Sequence, residues 1–155
     1  MQKNRIANLD VVAKRKKMAK NVLVLCTGNS CRSQIAEGYL KAFASEGTNV
    51  YSAGVETHGV NRKAIETMKR DGIDISAHTS NNLNEFLDIE FNYIITVCDN
   101  AKARCPHFPS KAYRFHKNFP DPAIAVGTEA EIMGEFDAVR DTIKHYCKQF
   151  VSAYL

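Results

Sequence analysis

Cys26 and Arg32 are separated by five residues in Cys26-Thr27-Gly28-Asn29-Ser30-Cys31-Arg32-Ser33. The segment follows the apolar run Val22-Leu23-Val24-Leu25 and opens a helical pattern. That order describes a cradle for a tetrahedral oxyanion with a nucleophile at its floor. Successive N–H groups of such a loop can turn inward on an anion, and the following helix N-terminus adds partial positive charge. Gly28 allows a turn that a side chain would obstruct. Arg32 offers a planar fork to two oxygens. The same positive field is expected to hold Cys26 as a thiolate, with Ser33 placed to donate to it. Thr27, Gly28, Asn29, Ser30, Cys31 and Ser33 are thus the expected oxyanion-binding loop around Cys26 and Arg32. The plain alternative is a buried cysteine beside a surface arginine. The strand before the loop, the helix after it and the small residues inside it favour the cradle.

Two further features carry chemistry. Asp121 stands between prolines in Phe119-Pro120-Asp121-Pro122. Prolines fix φ and restrict the residue before them, so this carboxylate sits on a stiff backbone, as a general acid requires. Taken alone it is equally a loop aspartate among turn formers. Cys98 closes the apolar run Tyr93–Val97, and Cys105 follows seven residues later. If the strands ending at Cys26 and Cys98 are neighbours, a thiol relay is chemically open. Cys26 takes the oxyanion, Cys98 attacks the adducted sulfur, and Cys105 attacks Cys98 and moves the disulfide outward. Other readings stand beside it: two buried cysteines, a redox switch, or a zinc site with His107 or His116. The zinc reading suffers from a spacing wider than the usual ligand pair. Cys147 falls on the apolar face of the last helix and reads as inert core.

Cys26–Ser33 resembles the loop of the low-molecular-weight protein tyrosine phosphatases and of the thioredoxin-coupled arsenate reductases built on the same fold. Ser33-Gln34-Ile35-Ala36-Glu37-Gly38 looks like the reductase version, where the phosphatases usually have proline after the serine. Ser52-Ala53-Gly54, Gly72-Ile73-Asp74-Ile75-Ser76 and Cys98-Asp99…Cys105-Pro106 also look like the reductases. The resemblance covers about residues 21–150. It implies arsenate as substrate, Cys26 as nucleophile, Arg32 as oxyanion binder and Asp121 as general acid. It further implies Cys98 and Cys105 as resolving thiols and thioredoxin as reductant, with no organic cofactor. The same resemblance implies a four-stranded parallel sheet of strand order 2-1-3-4. Some reductases bind potassium at positions matching Asn29, Glu37, Ser52 and Asn81. Asparagine replaces a carboxylate at the last of these, so no metal is expected here. The stretch His116–Pro120 also departs from the family's aromatic-rich version. A tyrosine phosphatase is the alternative enzyme, and a sensor that keeps only the loop is the non-enzyme alternative.

These residues need elements to position them. Val22–Leu25 reads as a short strand buried on both faces. Ile35, Ala36, Tyr39, Leu40 and Phe43 then fall at helical spacing. Asn49–Ala53 reads as a second strand. Asn61 is a candidate cap for a helix that turns Ala64, Ile65 and Met68 inward and stops at Asp71-Gly72. Ser76–Asn84 reads as loop with one short helix. Tyr93–Val97 is the clearest strand and Ala112–Phe115 a weaker fourth. Thr128-Glu129-Ala130-Glu131 has the form of a capping box. A long helix follows, with Ile132, Phe136, Val139, Ile143, Tyr146 and Phe150 along one face. The alternation implies an α/β fold with an open parallel sheet, which binds ligands beyond the carboxyl ends of its strands.

Composition limits the remaining classes. The 155 residues suit one domain, with 45% hydrophobic and 25% charged residues. No stretch approaches the length of a membrane span. Residues 1–20 hold seven of the 21 Lys and Arg and one of the 17 acids, leaving 14 basic against 16 acidic residues in the rest. The basic character therefore belongs to the leader, which argues against a nucleic-acid-binding domain. Residues 1–20 are expected to be a mobile, solvated leader and 21–155 a single domain. Five cysteines without an apolar signal segment point to a reducing cytoplasm. A monomer is expected.

Overall fold

The computed structural model describes residues 19–104 and 108–155. Most of the basic leader, and Cys105 with its neighbours Pro106 and His107, lie outside the described residues. Four strands form one parallel sheet: β1 (Lys20–Cys26), β2 (Thr48–Gly54), β3 (Tyr93–Thr96) and β4 (Tyr113–His116), in the order β2-β1-β3-β4. The helices are α1 (Arg32–Phe43), α2 (Arg62–Arg70), α3 (Asp99–Arg104) and α4 (Glu129–Tyr154). Both the open parallel sheet and its strand order are therefore as expected. Among the described residues, no helix is long and apolar enough to cross a membrane.

The centre of the sheet is β1, whose residues Val22–Leu25 are buried on both faces. Its register runs Cys26 against Gly54 on one side and Leu25 against Thr96 on the other. The chain leaves β1 for β2 on one side and reaches β3 on the other. The loops beyond β1 and β3 therefore diverge, which opens a crevice at the carboxyl edge.

Local chemistry explains the helix ends. The Asn61 side chain accepts from the backbone N–H groups of Lys63 and Ala64 and starts α2. Gly72 follows at φ +79, a conformation that favours glycine and stops the helix. Within α2 the buried residues are Ala64, Thr67 and Met68, whereas Ile65 is only half-buried. Thr67 goes inward because its hydroxyl donates to Asp137 on α4 and its carbonyl oxygen accepts from Arg140. The Thr128 hydroxyl oxygen accepts from Glu131 N–H at the start of α4, and its O–H donates to the Glu131 carboxylate.

The inward stripe of α4 is Met133, Phe136, Val139, Ile143, Cys147 and Phe150. Ile132 and Tyr146 stay half-buried, because the true stripe is rotated slightly toward Met133 and Cys147. The Cys147 thiol donates to the Ala36 carbonyl on α1, so α4 packs against the helix that the Cys26–Arg32 loop opens.

Phe136, 1% exposed, is the aromatic at the middle of that stripe. Phe136→Ala is expected to lower unfolding free energy by about 3–5 kcal/mol, a lost transfer free energy plus a cavity. Urea unfolding should show a lower midpoint with an unchanged slope.

Candidate active site

The loop after β1 is held from outside by its carbonyl oxygens. Thr27 O accepts from Glu56 N–H, Gly28 O from His58 N–H and Ser30 O from Asn61 N–H, at 2.9–3.0 Å. Asn29 O accepts from the Gln34 side-chain amide at 3.0 Å, and Ser80 O–H adds a second bond to Gly28 O. No peptide bond is cis among the described residues. In a planar trans peptide the C=O and the next N–H point in opposite directions. Four carbonyls directed outward therefore turn the N–H groups of residues 28–31 toward the inside of the loop, which makes an anion-binding nest.

Two residues permit this path. Asn29 has φ +47, a left-handed conformation uncommon outside glycine. Three bonds of its side chain, two of them fully buried, offset that strain. It donates to the Ser33 hydroxyl oxygen at 2.9 Å and to that of Ser52 at 2.8 Å, and accepts from Asn81 N–H at 2.7 Å. Gly54, at the end of β2, lies so close to the loop that a Cβ would meet Thr27 O at 2.7 Å and Asn29 N at 2.8 Å. The backbones of Gly54 and the loop can approach only because neither a side chain nor a wider turn intervenes.

Arg32 begins α1 beneath the nest. Its Nη1 donates to Phe119 O at 2.9 Å, and its Nη2 lies 3.8 Å from Asp121 Oδ2. Asp121 in turn accepts from Ala123 N–H and so caps the short 3-10 turn Pro122–Ile124. The Asp-Pro segment and the loop, far apart in sequence, are joined through this arginine. Cys31 is buried in the loop, and its thiol is pushed up to about 12 by burial and then by the Asp121 charge. That leaves it a poor nucleophile. Ser33 accepts from Asn29, and no bond from it to Cys26 is found among the described contacts.

Cys98 stands beside Cys26. Val97 N–H donates to Leu25 O at 3.0 Å, which carries the β1–β3 ladder one rung past β3 and brings the two cysteines to one rim. All four described cysteines are free thiols. The Cys26 thiol donates to the Cys98 sulfur, so the pair shares one proton. Further donors surround Cys98. Asn100 Nδ2 donates to Thr27 Oγ1 at 3.1 Å, which leaves the Thr27 O–H free for Cys98 Sγ at 3.3 Å. Ala101 N–H donates to the same sulfur at 3.4 Å.

The donation from Cys26, then those from Thr27 and Ala101 and the Arg32 charge, lower the Cys98 thiol to about 5 against the opposing effect of burial. Burial and the bond to Cys98 push the Cys26 thiol up. The two sulfurs titrate as one unit around a single proton, and the Arg32 guanidinium favours the negative charge of that unit. The charge expected on Cys26 alone therefore belongs to the pair.

Thr27 consequently does more than line the cradle, and Asn100 joins the site. Sequence spacing could not reveal either role, since both depend on the β1–β3 contact. His58 packs over Gly28 and pairs with Glu56 at 2.9 Å, at the rim. Asn29, Glu37, Ser52 and Asn81 lie together, but their polar atoms satisfy protein partners. Asn29 gives N–H groups to Ser33 and Ser52, and Glu37 accepts from His78 at 2.7 Å and pairs with Lys41 at 3.4 Å. Among the described residues, no cluster of three or more His, Cys, Asp or Glu side chains could hold a metal ion.

The arrangement can bind a tetrahedral oxyanion, attack it with sulfur and present a second sulfur to the first. Comparison with known proteins agrees. Residues 21–154 match the family model of low molecular weight phosphotyrosine protein phosphatase. An arsenate reductase of Staphylococcus aureus (strain Newman) is 46% identical over 133 residues, 86% of this chain and 97% of that protein. An arsenate reductase of Halalkalibacterium halodurans is 46% identical over 131 residues, 84% of this chain and 94% of that protein. Among solved structures, an arsenate reductase in the reduced state is 29% identical with a TM-score of 0.70, covering 88% of this chain and 99% of its own.

The shared proton gives a spectroscopic expectation. The reduced protein should carry one thiolate at neutral pH, seen by its ultraviolet absorbance and lost as pH falls through about 5. Because the folded-state value lies below that of an ordinary thiol, Cys26→Ala and Thr27→Val should each move this midpoint upward by removing a donor. An absorbance unchanged between pH 4 and 7, a range that spans that midpoint, would contradict the proton arrangement.

Proposed function

We propose that this chain, which belongs to the low molecular weight phosphotyrosine protein phosphatase family, is an arsenate reductase that draws electrons from thioredoxin. The observation that carries the reading is the Cys98 sulfur held against Cys26. A phosphatase returns its sulfur adduct to water and needs no second thiol. A reductase needs one within reach. The relatives at 46% identity, which are arsenate reductases, support the same choice.

Each step uses groups described above. Arsenate enters the nest as a hydrogen-bonded oxyanion, with Arg32 on its equatorial oxygens. Cys26 attacks arsenic, its proton passes to the departing oxygen, and water leaves; Asp121 stands at the rim as the proton carrier. Cys98 then attacks the Cys26 sulfur. The S–As bond breaks, its electron pair stays on arsenic, and arsenite leaves as the two thiols become a disulfide. Two electrons move, from two sulfurs to one arsenic. The donors around Cys98 ready it as a nucleophile before the substrate arrives. Cys105, outside the described residues, is read as the thiol that next attacks Cys98. The six-residue helix α3 separates the two in sequence. An exchange of this kind suits a reducing cytoplasm, where thioredoxin can restore both thiols.

Phosphate resembles arsenate in shape and charge, so the same nest and Cys26 should support weak hydrolysis of aryl phosphates. That activity marks the alternative reading, a tyrosine phosphatase.

NADPH oxidation by thioredoxin reductase and thioredoxin should become arsenate-dependent when this protein is added. Cys98→Ser should abolish multiple turnover, while aryl phosphate hydrolysis persists within about tenfold, a loss of about 1.4 kcal/mol or less in the barrier. Undiminished arsenate turnover in Cys98→Ser would sink the relay. Hydrolysis without any arsenate-dependent oxidation would favour the phosphatase.

A further inference from the structure

Helix α3 is held at its first turn. Asp99, directly after Cys98, has its carboxylate 2.8 Å from His116 Nε2. A carboxylate only accepts, so that nitrogen carries a proton. The other ring nitrogen, Nδ1, lies 2.7 Å from Thr96 Oγ1 at the end of β3. The Asn118 side-chain oxygen accepts from Asp99 N–H at 3.2 Å. Two side chains from the end of β4 and the loop after it therefore hold the residue beside Cys98, one by its carboxylate and one by its backbone.

The hydrogen-bond partners of His116 are Thr96 and Asp99, both outside the oxyanion loop. Its imidazole is 22% exposed, so the ring is fixed by β3 while it faces Asp99. The same first turn of α3 supplies the Ala101 N–H that reaches Cys98 Sγ. A shift of Asp99 would carry that donor and the Cys98 backbone with it.

We propose that His116 is a positioning residue for the resolving thiol. Through Asp99 it holds the first turn of α3 so that Cys98 Sγ stays in line with Cys26. The inference rests on the reading of Cys98 as the thiol that releases arsenite. It adds a residue that touches neither the oxyanion loop nor the reacting sulfurs. A displacement of about 1 Å at a reacting atom costs up to 100-fold in rate, so the expected effect is kinetic.

The test uses the full chain carrying Cys105→Ser, in which the relay stops at the Cys26–Cys98 disulfide. Arsenite release in a single turnover is followed by rapid quench, with arsenate as the varied ligand. His116→Ala and Asp99→Ala should each slow release by about tenfold or more at saturating arsenate. The double variant should be no slower than the slower single one, because the two act through one contact. Asp99→Asn, whose amide oxygen can still accept from Nε2–H, should recover most of the rate. Half-saturation by arsenate should stay within about twofold in all of them, since the nest is untouched.

Release within twofold of the parent in His116→Ala overturns the inference. So does a slowed release that comes with an equal loss of arsenate saturation, because that is the mark of general damage to the site. Cys98→Ser in the same background separates the two levels. If it abolishes release while His116→Ala is normal, only the positioning role falls. If it releases arsenite at the parent rate, the relay reading falls first and takes the inference with it.

Discussion

The parallel pairing of β1 with β3 is the interaction on which the site depends. Leu25 lies opposite Thr96, and one more rung joins Val97 N–H to Leu25 O. Parallel rungs are evenly spaced, so adjacent strands that start level also end level. Cys26 closes one strand and Cys98 follows the other by two residues, and the ladder sets them at one height on one edge. The reversal of strand order there separates the outgoing loops and leaves room for a ligand. A slip of one residue would turn Cys98 to the opposite face and remove the sulfur contact.

Around that pair the protein spends backbone hydrogen bonds in an unusual direction. The loop's carbonyl oxygens are occupied by residues outside it, from Glu56, His58 and Asn61 to Gln34 and Ser80. Its N–H groups are thereby left for a ligand. The positive φ of Asn29 and the bare Cα of Gly54 are the local conditions for this, and the buried bonds of the Asn29 side chain hold the shape without a ligand. A nest prepared in this way binds an oxyanion without reorganising, which is the general requirement for electrostatic stabilisation of developing charge.

Phosphate and arsenate share the tetrahedral shape and charge that such a cradle recognises, so the cradle alone does not separate the two chemistries. What distinguishes this chain is a second sulfur with its own donors: Thr27 O–H oriented by Asn100, and the Ala101 N–H of α3.

Much of this was legible in the sequence. The apolar runs at Val22–Leu25 and Tyr93–Val97 marked the two strands that matter, because doubly covered strands exclude polar residues. Cys-x5-Arg between a strand and a helix marked the nest, because only small residues follow so tight a path. Asn61 and Thr128 announced their helices through side chains that bond orphan N–H groups. These are local signals, written over a few adjacent residues. Other features were not legible: the proton shared by the two sulfurs, the second role of Thr27, the hold of Arg32 on Phe119, and the link from His116 to Asp99. Each joins residues far apart in the chain. Two sulfurs share a proton only once the sheet has set them side by side. The sequence by itself determined the elements and the chemical groups they carry. The tertiary structure alone decided which groups touch, because parallel pairing brings together strand ends whose order and height no local pattern encodes.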